Sequence, residues 1–386
     1  VSDLTIRSIE AFACSADLKE PVAMGLGLVV KREAVVVKVT TEGGLIGWGE
    51  AHHARSPRAM ETLINTTMRD LLVGMDASAT TLAWQRVYVN QLATHGMGSA
   101  SVTALSGIDM ALWDIRGKAA GWPLYQLLGG QLRPIPVYAG GVSLGFQSPE
   151  SLVEEARGMV ESGYRAVKLR IGQGVAADVA RIALVRETFG PDLEIFVDAN
   201  AQYTMAQAAQ VVPELERYRV GWFEEPFTPY AYRSYRDLKQ LTSVPLAAGE
   251  NHFTRFEFQR LLDEGSVRIL QPDVSKTGGI TEMMRIAAMG SASHLPFCPH
   301  SSITGISMSA TLHLMSALPN AEWFEAELAR GNGLRDELCD APYQVDSDGF
   351  VRAREGAGLA VEVDEDYLHA HPLTAGPAFV PAGLAG

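Results

Sequence analysis

The chain has 386 residues, which sets a prior of two or three domains unless one of them is a large barrel. Hydrophobic residues make up 47% and charged residues 20%, a globular composition that excludes disorder along most of the length. Against 45 Asp and Glu there are only 32 Lys and Arg, a formal charge of −13 that argues against nucleic acid or an anionic membrane as partner. Small anions stay open as ligands, because a bound cation or a basic cluster reverses the field inside one pocket. Three cysteines, Cys14, Cys298 and Cys339, are too few and too irregular for a disulfide framework and point to a reducing, cytoplasmic setting. Val1-Ser2-Asp3-Leu4 shows no basic stretch before an apolar core, so no signal peptide is expected. The most apolar run, 21–30, is too short and Gly-rich to span a bilayer.

In chain order, residues 4–14 read as a strand, 34–39 as a β-branched strand, and 45–50 as its hairpin partner across Gly43-Gly44. Helical patterns follow at 57–73, 80–93 and 97–120. In the last, Ala104, Leu105, Ile108, Ala111, Leu112 and Ile115 share one face, and Gly121 with Pro123 stops it. Residues 1–130 are thus expected to form an α+β unit.

From Arg133 the pattern alternates. Short β-rich runs at 135–141, 166–171, 194–197, 221–223, 245–248, 267–270, 294–298 and 321–324 are separated by seven helix-length segments. Parallel neighbours need crossovers, so this reads as a parallel (β/α) barrel over 131–330. A doubly wound sheet would need a phosphate loop, and Gly140-Gly141 do not make one. Residues 331–386 hold a hairpin-like pair, 349–353 with 358–363, and a Pro/Gly/Ala-rich tail expected to pack back on the first unit.

Each barrel strand after the first ends in ionisable residues: Lys168 and Arg170, Asp198 with Asn200, Glu224-Glu225, Glu250-Asn251, Asp273, His300 and Glu325. The C-terminal ends of barrel strands converge on one face, so these side chains should share a cavity. Asp198, Glu224 and Glu250 would repel one another without a cation, and an all-oxygen set points to Mg²⁺, with Ca²⁺ and Mn²⁺ as alternatives. Glu225 is expected to turn outward into a salt bridge. Asp273 beside His300 suggests a general base held in one tautomer.

Taken together, Ala104–Asp114, Leu127-Leu128-Gly129-Gly130, VKLR, VDAN, WFEEP, AAGEN, QPD, the His of strand seven and Gly358–Val363 resemble the enolase superfamily, mandelate racemase subgroup, over nearly the whole chain. The resemblance implies a (β/α)7β modified TIM barrel under an N-terminal capping domain, and a Mg²⁺ on Asp198, Glu224 and Glu250 that binds a substrate carboxylate. It also implies that a base removes the α-proton, that Lys168 neutralises the carboxylate, and that protonated Glu325 hydrogen-bonds the enediolate. Racemases of the subgroup carry Lys-x-Lys, but here the second position is Arg170, which does not readily lose a proton. Lys276 resembles a sixth-strand Lys of the cycloisomerases, which could supply a second base, and is expected rather to bind carboxylate or serve structure. His52, His53 and Arg55, and Lys19 in the Gly-rich stretch 17–27, fall in the lid regions and are expected, with Asn200, to choose the substrate. An acid-sugar dehydratase is the first expectation; a racemase, epimerase or lactone cycloisomerase, or a binding protein that has lost the chemistry, are its rivals. A small carboxylate partner and a homo-oligomer, dimer to octamer, complete the picture.

Overall fold

A computed structural model describes residues 3–301, 303–340 and 342–381; Val1 and Ser2 of the leader reading and the last five residues of the tail lie outside the described residues. The chain opens with an antiparallel sheet in which β2 (Gly27–Thr41) lies between β1 (Ile6–Met24) and β3 (Ile46–His52), Val37 facing Ala11 on one side and Gly49 on the other. The helix Ser99–Ala120 packs on this sheet through Ala104, Ile108 and Leu112 against Val35, Val37 and Val39. The approach is close enough that side chains at Gly49 and Gly107 would strike the opposing backbone, which is why small residues stand there.

Residues 17–27, expected as a loop, are instead the ends of β1 and β2. They are joined by a turn at Gly25-Leu26, with a register shift between Asp17 and Val22. Tertiary pairing overrides a composition that reads as turn. The tip of this hairpin reaches the barrel, where Gly25 abuts Asn200 and Gln202.

The barrel strands are β4 (Ile135–Gly140), β5 (Ala166–Arg170), β6 (Glu194–Asp198), β7 (Phe223–Glu224), β8 (Leu246–Ala248), β9 (Ile269–Leu270) and β10 (Phe324–Glu327). They run parallel in the order β10-β4-β5-β6-β7-β8-β9. The strand expected at 294–298 is reduced to single bridges from Phe297 to Leu270 and Ala321, since Pro296 and Pro299 have no N–H to extend a ladder. Those bridges close the ring. Seven helices lie between the strands among the described residues, giving a (β/α)7β barrel with an α+β cap. The last strand is set three residues later than the apolar run 321–324 suggests.

The expected tail hairpin does not form. β11 (Phe350–Val351) pairs antiparallel with β4, while the Leu359 N–H is taken by Asp114 of the cap helix. Further on, β12 (Phe379–Val380) joins the cap sheet beside Val29 and Leu28 of β2.

Side-chain alternation divides the barrel interior into two levels. Lower down, Tyr138, Phe196, Trp222 and Cys298 form an apolar plug, with Phe196 and Trp222 stacked at 3.4 Å. Two positions beyond Phe196, Trp222 and Cys298 stand the ionisable Asp198, Glu224 and His300. Buried cap carboxylates hold the cap over this upper level. Glu50 accepts from the Thr304 N–H and hydroxyl just before the helix Gly305–Ala317, and Asp109 does the same with Thr281 in the first turn of the helix Gly279–Ala292.

Candidate active site

Strand register brings the ionisable ends together: Arg170 lies opposite Asp198, Asp198 opposite Glu224, and Asp273 opposite His300. Lys168, fully buried, points its ammonium at Glu325 Oε1 (2.7 Å) and Glu224 Oε1 (3.0 Å), with Asp198 Oδ2 at 3.7 Å. Burial works against its charge, but Glu224 and Glu325 outweigh that and hold its pKa above the ordinary lysine value. Arg170 donates to Asp198 Oδ2 and to the Gly141 carbonyl, and reaches Asn200 Oδ1 at 3.4 Å. It is pinned from two sides. Asn200 in turn donates its backbone N–H and side-chain amide to Asp198.

His300 is held between carboxylates. Its Nδ1 faces Asp273 Oδ2 at 2.6 Å and its Nε2 faces Glu250 Oε2 at 2.9 Å, while Asp273 is itself fixed by the Ser275 N–H and hydroxyl. Burial disfavours the imidazolium, yet Glu250, Glu325 and Asp273 lift its pKa to about 10. Despite burial, Lys168, His300 and Arg170 hold Glu325 ionised at about 2, not in the protonated form that the resemblance implies.

Glu225 departs from expectation. It is 2% exposed and turned inward, both carboxylate oxygens taking the Asn251 amide at 3.0 Å, and that amide also reaches Glu250 Oε1 at 3.0 Å. Burial, then the charges of Glu250 and Asp198, drive its pKa well above the carboxylate range. Glu225 follows β7 directly with φ +37°, a backbone conformation that departs from the strand, and its carboxylate is turned to the Asn251 amide.

As placed, Asp198, Glu224 and Glu250 turn to Arg170, Lys168 and His300, and no group of three metal-ligating side chains encloses a point among the described residues. The donor chemistry nonetheless fits a hard divalent cation: the ligands are all oxygen, and the buried Glu225 beside them has an amide for its partner and no cation.

Above this floor lies a cavity of about 130 Å³ lined from the cap by Arg32, His52, His53 and Arg55, from the barrel by Asn200, Glu250, Asn251, Lys276 and His300, and from the tail by Phe379. His52 and His53 are held neutral, chiefly by burial. Their Nδ1 atoms accept the Ala54 and Arg55 N–H groups at 3.0 and 2.9 Å, leaving Nε2–H as the free donors. Arg55 sits over the Phe379 ring, and His53 stacks on it. Lys19 is not part of the cavity; it is exposed, and its backbone N–H bonds to the Arg330 carbonyl. A larger groove, about 590 Å³, runs between the hairpin and the helix Pro149–Glu161, with none of the ionisable strand-end residues in its lining.

Arg32 and Phe379 escaped the reading of the sequence, and Asn251 entered it only as the strand-end neighbour of Glu250. Arg32 left a signal: Lys31-Arg32-Glu33 precedes an apolar run, and with alternation at least one charge of the three had to face inward; all three are buried.

Residues 8–129 match the family described as mandelate racemase/muconate lactonizing enzyme, N-terminal domain, and residues 151–367 match the enolase C-terminal domain-like family. An arabinonate dehydratase of Saccharolobus solfataricus is 35% identical over 87% of this chain and 90% of its own. A D-galactarolactone cycloisomerase of Agrobacterium fabrum is 33% identical over 88% and 91%. Among solved structures, an enolase superfamily member from Polaromonas sp. JS666 superposes with a TM-score of 0.95 at 48% identity over 97% of this chain and 100% of that one. A racemase from Streptomyces coelicolor A3(2) with bound magnesium gives 0.87 at 27% identity over 95% and 99%.

Proposed function

Because this chain belongs to the mandelate racemase/muconate lactonizing enzyme family of the enolase superfamily, we propose that it is a lyase that dehydrates an acid sugar to a 2-keto-3-deoxy acid. The observation that carries the reading is the asymmetry of the site: His300 is presented to the cavity by Asp273, whereas Arg170, where related racemases carry a second base, is locked onto Asp198 and Gly141. One face of a bound acid can exchange a proton, the other is served by a permanent cation.

A divalent cation, Mg²⁺ foremost, would be held by Asp198, Glu224 and Glu250 and would supply the positive charge that makes an α-proton removable. The chain's own residues do the rest. Lys168 meets the incoming carboxylate; as its ammonium turns from Glu325, that buried acid loses its counter-ion and takes up a proton, becoming a donor to the enediolate. With Glu250 drawn to a bound cation, His300 would lose the partner that most holds it protonated; as the neutral imidazole it takes the α-proton at Nε2 and returns it to the departing β-hydroxyl, which leaves as water, and the enol then tautomerises to the keto acid. His52 and His53, as neutral donors, suit the substrate hydroxyls. The buried, unpaired cysteines fit a cytoplasmic enzyme, and no helix is long and apolar enough to cross a membrane among the described residues.

The second reading is a cycloisomerase, favoured by the relative from Agrobacterium fabrum. A turnover screen of a stereochemically complete acid-sugar library with Mg²⁺ separates the two. A 2-keto acid from one stereoisomer supports the lyase, and a product isomeric with its substrate refutes it.

A further inference from the structure

Arg32 is a buried cation without a counter-ion. It stands on β2 at 4% exposure, its Nε has no hydrogen-bond partner, and no ion pair or hydrogen bond reaches its guanidinium among the described residues. Burial pulls its pKa down, with Glu327 and Glu50 attracting it from a distance. Neither pairs with it: Glu327 is committed to the Val142 and Ala329 N–H groups and the Asn332 amide, and Glu50 gives Oε2 to Thr304 while its Oε1 stays without a hydrogen bond. Lys276, lining the same cavity at 7% exposure, makes no ion pair either, because Glu250 and Asp273 are occupied by His300. An unpaired buried charge costs several kcal/mol, a cost that persists only where a ligand supplies the missing anion.

We propose that this cavity recognises a second carboxylate at the far end of the acid sugar, bound by Arg32 with Lys276 beside it, so that the substrate is a sugar diacid. The proposal rests on the acid-sugar reading of the same site and names which acid sugars it takes. The carboxylate beside the reacting carbon belongs to Lys168 and the acidic strand ends of the barrel. Arg32 comes from the cap, on β2, and lines the cavity above those strand ends. The two histidines between cannot carry the charge, being neutral. A terminal hydroxyl would leave Arg32 unpaired, and a cavity of about 130 Å³ favours a planar carboxylate, which a guanidinium binds through two parallel hydrogen bonds, over a bulkier phosphate ester.

The test assays each hexarate beside the stereochemically matched hexonate and its terminal phosphate ester, with Mg²⁺, and reads melting temperatures of ligand-free wild-type and Arg32→Met protein. One hexarate should exceed its hexonate in kcat/KM by on the order of 10²-fold. Arg32→Met should collapse that ratio to about a few-fold, mainly through KM, and Arg32→Lys should restore part of it. Ligand-free Arg32→Met should melt at or above the wild type, since an unpaired charge has left the interior. The proposal is overturned by a wild-type preference for hexonate or phosphate ester, by a ratio that ignores Arg32→Met, or by a ligand-free variant that melts below the wild type. Should no acid turn over, the same pairs are compared by the rise in melting temperature each gives. A hexarate converted to an isomer refutes the dehydratase and leaves the diacid standing; dehydration of hexonates alone does the reverse.

Discussion

Replacing Asp109 by Asn should remove a pH-dependent loss of stability from the contact between cap and barrel. The Asp109 carboxylate is 1% exposed and accepts the Thr281 N–H at 2.9 Å and its hydroxyl at 2.6 Å. Burial lifts its pKa from 3.8 to about 7, against the Thr281 hydrogen bonds and Arg285, with Glu282 adding to the rise. The unfolded chain releases this proton near 3.8 and the folded chain near 7, so between those values the folded state holds more protons and stability falls as pH rises. Across the whole window the loss is on the order of 4 kcal/mol at ~1.4 kcal/mol per unit, and between about pH 5 and about pH 8 roughly 2–3 kcal/mol of it is expressed. Asn keeps a hydrogen-bonding group at the site but does not titrate. Ala also does not titrate, but it strands the Thr281 N–H and should cost about 2–4 kcal/mol at every pH. Urea unfolding at the two pH values measures both effects. If the Asn variant keeps the wild-type slope, the buried-acid argument is wrong.

Three further outcomes are expected. Glu250→Gln should lose divalent-metal affinity and turnover while its circular dichroism stays native; full activity of this variant, or of wild type in excess chelator, would defeat the ligand assignment. In D₂O, solvent deuterium should enter the α-position of one epimer and leave the other untouched, with His300→Asn abolishing the exchange; interconversion of both epimers at similar rates would bring Lys276 forward as a second base. Phe379→Ala should raise KM about 10-fold with kcat nearly unchanged, because the ring that supports His53 and Arg55 is gone, and Phe379→Tyr should recover most of the affinity. Equal KM values in all three proteins would make the ring dispensable.

The barrel could be read from the sequence because its two periods are local: β-rich runs carry strand pairing, and helical faces such as the one through Ile108 and Leu112 repeat within a few residues. The ionisable strand ends were legible for a related reason, since one βα unit of nearly constant length separates each from the next. What escaped depends on distant partners. Residues 17–27 look like a loop until β2 supplies their hydrogen bonds, and 358–363 look like half a hairpin until Asp114 takes the Leu359 N–H. Glu225 reads as a surface charge because its partner, Asn251, comes from the next βα unit. Phe379 sits in a Pro/Gly-rich stretch with no periodicity, and only its place in the cap sheet gives it a role.

That last pairing bears on how the molecule comes into being. β2 is made early, yet its partner β12 and the aromatic wall of the cavity are made only after every barrel strand. On the ribosome, the cap sheet must therefore wait, one stretch of β2 edge open, while the whole barrel is synthesised below it. A nascent chain can gather the acidic strand ends well before it can enclose a sugar. The active site is finished from the outside in, and a lesion late in the chain should yield a folded barrel that holds its substrate poorly.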